Sequence, residues 1–247
     1  MPAVTVIGAN AQTVTLQFDS NANAAIAKLL AGAISEGVKS GEYSVSDGLY
    51  APLPPGAEAE YVKSANGVTI LQSGYKAVVN TAGNAVIFGS GDDNQSVLSG
   101  TGNLTFFASS GSGTIVAAGG NNRITLPNSG GDWTVNTGAG NDQIVAQGGG
   151  NHSLSAGGGS NSIRLGSGNG TVVSSGVDRI LAGSGSATII AEDAARTMVT
   201  GGSGDLFFVG GAGGATVSAG TGSATIFGGD GASEFHGGTG GNNLIYA

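Results

Sequence analysis

Gly138-Ala139-Gly140-Asn141-Asp142-Gln143-Ile144 is a glycine turn, a polar corner and the start of a strand in seven residues. The same grammar returns around Gly148-Gly149-Gly150, Gly183-Ser184-Gly185 and Gly220-Thr221-Gly222. One apolar residue marks each unit from Ile87 to Leu244, at a mean spacing of about nine residues. A nine-residue unit of turn plus strand cannot bury its apolar side chain alone, so the units must stack. Two units make a coil of ~18 residues, and parallel strands lie ~4.8 Å apart, so about nine coils give a rod roughly 40 Å long. The glycines are read as relief for positive φ in the turns. The expected fold class is mainly β: a parallel β-solenoid, a β-roll or β-helix, of about nine coils.

Composition divides the chain near residue 80. Residues 1–80 hold 8 of the 49 Gly and all four Lys, whereas residues 81–247 hold the other 41 Gly and all four Arg. The first part reads as a small α+β module. Thr13–Phe18 alternates as a strand should, and Asp19 and Ser20 offer N-cap oxygens to a helix over roughly 21–39. Ile26, Leu29, Leu30 and Ile34 form an apolar stripe, expected to cap the N-terminal end of the solenoid, because an open terminal coil bares core and strand edges. Pro52, Pro54 and Pro55 predict a loop before three short β-like runs. The expected domains are therefore 1–80, a capping module, and 81–247, the glycine-rich solenoid.

The repeats resemble the glycine-rich nonapeptides of RTX proteins of Gram-negative bacteria, pattern G-G-x-G-x-D-x-U-x, which wind into a calcium-binding β-roll. Residues 138–144 fit the pattern, Gly89-Ser90-Gly91-Asp92-Asp93 fits its turn, and Asp178-Arg179-Ile180 keeps its second half. Elsewhere the aspartate position holds Asn122, His152, Asn161, Ala187 or Ala224, among others. The resemblance implies Ca²⁺ as the cofactor, and an extracellular or cell-surface location reached without an N-terminal signal peptide, with the cytoplasm as the alternative.

Every second unit falls on one side of a solenoid, so the aspartate-like positions form two columns. One reads Asn103, Asn122, Asp142, Asn161, Asp178 and Ala215; the other reads Gly113, Asp132, His152, Gly170, Ala187, Ala224 and Asn242. Two uses of the first column stay open. Asn and Asp stacked one coil apart can hydrogen-bond along the axis as a ladder. The same oxygens, from Asp142, Asp178, Asn161 and Asp93, can instead serve calcium, which needs six to eight hard oxygen ligands.

No catalytic grouping stands out. His152 and His236 lie 84 residues apart, both expected to be satisfied or solvent-exposed, and no nucleophile elbow or phosphate-binding loop occurs. The chain is read as non-enzymatic. It has no Cys, and its net charge of −8 argues against nucleic acid as a partner. No apolar stretch is long enough for a transmembrane helix. Alternation points Val173, Ile190, Phe208, Phe227 and Ile245 outward, and with Leu244 of the last coil they form a file that grows more apolar along the chain. It is read as a self-association face of a fibre or lattice subunit, a structural or adhesive surface or matrix protein with a homo-oligomer or filament as partner, and a surface glycan as a further one. The alternative is an accessory calcium-binding roll that supports a larger exported assembly.

Overall fold

The computed structural model describes residues 1–8, 11–46, 57–63, 67–91, 94–192 and 196–247. The proline loop expected near 52–55 lies outside the described residues. The fold is a parallel β-solenoid of about ten turns with a short N-terminal helix and strand module. The chain divides into two compact units, Met1–Ile124 with Asn136–Ala139, and Thr125–Val135 with Gly140–Ala247.

Unit 1 opens with an antiparallel hairpin, β1 (Ala3–Ile7) and β2 (Thr13–Gln17), paired in the register Val4 to Leu16. Helix α1 (Asn21–Ser40) follows. Ser20 accepts the Asn23 N–H in its side chain, and Gly41 closes the helix in the left-handed conformation at φ 77°. Then come β3 (Ser44–Ser46), β4 (Ala57–Val62), β5 (Gly67–Ile70), β6 (Ala77–Asn80), β7 (Asn84–Phe88), β8 (Gln95–Ser99), β9 (Asn103–Phe107), β10 (Gly113–Ala117) and β11 (Arg123–Thr125). Each strand pairs in parallel with the next but one, as β4 with β6, β6 with β8 and β8 with β10. The coils thus begin before residue 80. Composition changes later, because β6 is buried on both faces and needs apolar residues rather than glycine.

The helix does not sit at an end of the coils. The outward row Tyr61, Val79, Leu98 and Val116 packs in one cluster with Ala24, Ala27, Ala31 and Ile34 of α1 and with the hairpin. Three of those four helix residues are alanines, which lets the helix axis approach a flat sheet closely. Ile34 is buried as the stripe requires, and Ile26 and Leu30 are half-covered, but Leu29 is 75% exposed. Asn23 ties the same helix to the Thr137 carbonyl at 3.3 Å, and Asp19 accepts the Ala139 N–H.

Unit 2 holds β12 (Trp133–Asn136), β13 (Gln143–Ala146), β14 (Asn151–Ser155), β15 (Ser160–Leu165), β16 (Asn169–Ser174), β17 (Val177–Leu181), β18 (Ala187–Ala191), β19 (Arg196–Thr200), β20 (Leu206–Val209), β21 (Ala215–Ser218), β22 (Ala224–Phe227), β23 (Glu234–His236) and β24 (Asn243–Tyr246). Odd strands from β13 and even strands from β14 form separate parallel ladders. One inner row runs Leu154, Val172, Ile189, Phe208, Ile226 and Ile245. Phe208 is therefore core, fully buried, and Phe207 faces outward at 41% exposure, the reverse of the sequence expectation. Ile245 likewise belongs to the inner row, while Leu244 aligns with outward Thr225.

Glycine serves stacking more than dihedral freedom here. A Cβ on Gly183, Gly202 or Gly220 would stand only 1.8–1.9 Å from the carbonyl oxygen of the glycine one coil before, and none of the three has positive φ. The turns lie backbone on backbone, and any side chain would separate the coils.

Candidate functional site

Inside unit 2 the coils close over a polar ladder. Asp142, Asn161, Asp178 and Thr197 occupy one inward column, each buried, on β15, β17, β19 and the turn before β13. Asn161 Oδ1 accepts the Asp142 N–H at 2.9 Å, and Asn161 Nδ2 donates to Asp178 Oδ1 at 2.7 Å. Asp178 Oδ2 accepts from Ser174 Oγ at 2.7 Å, and Ser174 Oγ also meets Thr197 Oγ1 at 2.9 Å. In unit 1, Asn122 plays the same part: its Oδ1 accepts the Leu104 N–H at 3.0 Å and its Nδ2 donates to the Gly120 carbonyl at 3.0 Å. Asn103, expected in this column, is exposed, and Leu104 takes the inward place.

This donor set does not suit a calcium ion. Asp142 and Asp178 stand two coils apart, about 10 Å by strand spacing. Between them Asn161 aims an N–H at Asp178, where an ion would need an oxygen. Asp93 lies outside the described residues. No group of three or more His, Cys, Asp or Glu able to hold a metal occurs among the described residues.

A second, solvent-facing ladder was missed in the sequence. At the start of several even strands, a side chain accepts a backbone N–H one coil on. Asp132 takes that of Asn151 at 2.7 Å, Asn169 that of Ser186 at 3.2 Å and Asp205 that of Ser223 at 3.1 Å. Asp132 thus faces solvent rather than the expected inner column, and Asn243, not Asn242, aligns with Ala224.

Two outward files cover the even strands of unit 2. One reads Thr171, Thr188, Phe207, Thr225 and Leu244; the other reads Val173, Ile190, Val209, Phe227 and Tyr246. Phe227 stacks on Tyr246 with ring centroids 4.8 Å apart, and Phe207 leans on Phe227 at 5.8 Å. Of the expected self-association residues, Val173, Ile190, Phe227 and Leu244 share this face, and Phe208 and Ile245 do not. The matching outward row of unit 1 is the one under α1.

His152 was expected to be satisfied or exposed. It points inward at 4% exposure, and neither ring nitrogen makes a well-formed hydrogen bond, although the Gly149 backbone interacts with the ring. Burial lowers its pKa below the ordinary imidazole value, while the Gly149 backbone and the Asp132 carboxylate act the other way. His236 is exposed beside Glu234, 3.1 Å away. In unit 1, burial and then Glu60 push the Tyr75 phenol up to about 12, against the pull of Ser46.

Compared with models of protein families, with curated proteins and with solved structures, the chain matches none.

Proposed function

We propose that this chain is a non-enzymatic structural protein of the cell surface or matrix that self-associates through the outward face of the even strands of unit 2. The observation that carries the reading is an exposed apolar face spread over both files, with Ile190, Phe207 and Phe227 at 40, 41 and 37% exposure on three adjacent rungs. Exposed apolar patches of this kind on soluble monomers mark interaction sites. The comparable row in unit 1 gives the physical comparison: where outward Val79, Leu98 and Val116 are apolar, the chain's own helix covers them. A second copy is the natural cover for the bare files, because a flat face of β-branched and aromatic side chains is complementary to itself in a two-fold contact.

The test is sedimentation and light scattering of the whole protein across a range of concentrations. Self-association of the wild type, lost in an Ile190→Lys, Phe227→Lys double variant with unchanged circular dichroism, supports the reading. A wild type that stays monomeric at high concentration overturns it. The runner-up, an accessory calcium-binding roll, draws on the resemblance at residues 138–144 and is tested by chelation below.

A further inference from the structure

The odd strands of unit 2 carry a different kind of surface. Arg164 on β15, Arg179 on β17 and Arg196 on β19 all project outward. Arg164 aligns with Leu181, two residues beyond Arg179, and Arg196 aligns with Val177, two residues before it. The three guanidiniums therefore descend diagonally across adjacent rungs, in steps of about 8 Å from strand spacing and rise. Three of the eight Lys and Arg in a chain of net charge −8 are gathered on this one face. Among the described residues, none of the three makes an ion pair. Asp178, next to Arg179 in sequence, is turned inward, with its two oxygens engaged by Asn161 and Ser174. Like charges set side by side on a sheet destabilise it unless something answers them.

An open groove of about 460 Å³ is lined by Arg179, Arg196, Val177, Met198 and Gly214, together with the inward-turned Asp178. Val177 and Met198 are both half-exposed. Guanidiniums offer paired N–H donors to carboxylates, and apolar walls between them suit the C–H faces of sugar rings. We propose that this groove binds an acidic polysaccharide, with Arg179 and Arg196 meeting anionic groups in it and Arg164, one rung outside the groove, meeting a further group along the chain. Duplex nucleic acid fits less well: it places one negative charge per ~1.7 Å of its axis, far closer than guanidiniums spaced about 8 Å apart can answer. An extended acidic peptide fits less well too, because it docks by pairing with a strand edge, and this groove lies on a sheet face whose backbone is already paired.

The assignment does not depend on self-association, which uses the other sheet. The test is titration of the full chain with fluorescent polygalacturonate at low salt, with neutral dextran, polyglutamate and single-stranded DNA alongside. Polygalacturonate should bind and weaken with salt, and dextran should not bind. Arg179→Gln and Arg196→Gln should each cost about tenfold in affinity, the usual scale for a charge-assisted hydrogen bond. Arg123→Gln, in unit 1, should cost nothing, and the Ile190→Lys, Phe227→Lys variant should bind as the wild type does. All these positions are exposed, so unchanged melting curves will show that the variants fold. Absent binding of polygalacturonate, arginine variants that bind like the wild type, or equal affinity for polyglutamate or DNA would each overturn the proposal.

Discussion

Asn161 hands its side-chain amide to Asp178 Oδ1, 2.7 Å away on the next coil, while its own carbonyl oxygen holds the Asp142 N–H on the coil before. One residue thus ties three coils, and Asp178 completes the chain by accepting from Ser174. The variant series follows from counting donors. Asp178→Ala leaves the Asn161 N–H without its acceptor and turns the Ser174 hydroxyl to Thr197, and should cost roughly 1–3 kcal/mol in urea unfolding. Asp178→Asn should cost far less, because its oxygen still accepts from Asn161 and its amide can donate to Ser174 Oγ, whose hydrogen turns to Thr197. Equal losses for the two variants would show that the column needs charge rather than hydrogen bonds. A chelator should leave the melting temperature of the wild type unchanged; a clear drop would restore the calcium reading.

Gly202 tests why glycine is so abundant. Its Cβ would press into the Gly183 carbonyl at 1.8 Å, with backbone on both sides of the contact. Gly202→Ala should destabilise unit 2 by about 3 kcal/mol, at the upper end of overpacking costs. Gly149, with nothing within 4 Å of the same position and no positive φ, is the control. Gly149→Ala should be neutral or slightly stabilising, since it restricts the unfolded chain. Similar losses at both sites would mean that conformation, not stacking, selects glycine.

Much of this was legible from period alone. The nine-residue spacing dictates coils of two strands, and the column Asp142, Asn161, Asp178 follows by placing every second unit on one side. The errors have local physical causes. Taking Phe207 as the inward residue makes the steps from Val199 and to Val217 eight and ten; Phe208 makes them nine and nine. A one-residue slip in a strand exchanges its faces. The position of α1 against the coils left a fainter trace. Val97-Leu98 and Ile115-Val116-Ala117-Ala118 are continuous apolar runs, the mark of strands covered on both faces. The glycine columns and the exposed Asp132, Asn151, Asn169 ladder depend on neighbours 17–19 residues away, so no local reading of a turn reveals them.

The helix face yields a pair of contrasting substitutions. Ile34 is buried against the outward row of the first coils, whereas Leu29, in the same sequence stripe, faces solvent. Ile34→Ala should lower stability by about 2–4 kcal/mol, the range for buried aliphatic truncations. Leu29→Ala should stay within about 0.5 kcal/mol, as surface substitutions do. Urea titration of the full chain by circular dichroism measures both. Matching losses would place α1 elsewhere than on Leu98 and Val116.

His152 gives the fold a pH dependence whose sign can be worked out. Burial holds its folded pKa below the unfolded value of about 6.5. Above that pH both states are neutral, and the residue contributes no slope. As the pH falls from about 6.5 towards the folded pKa, the unfolded chain binds the proton first, so stability declines. The slope flattens once the folded protein is protonated too. The readout is the difference between wild type and His152→Leu, which removes the contribution of every other ionisable group. That variant replaces two ring nitrogens that lack a well-formed hydrogen bond with an apolar side chain and should be at least as stable at pH 7. It should also lose the decline just below pH 6.5 that the wild type shows in urea midpoints. Parallel curves for the two proteins would mean that the imidazole is hydrated in solution rather than sealed among the coils.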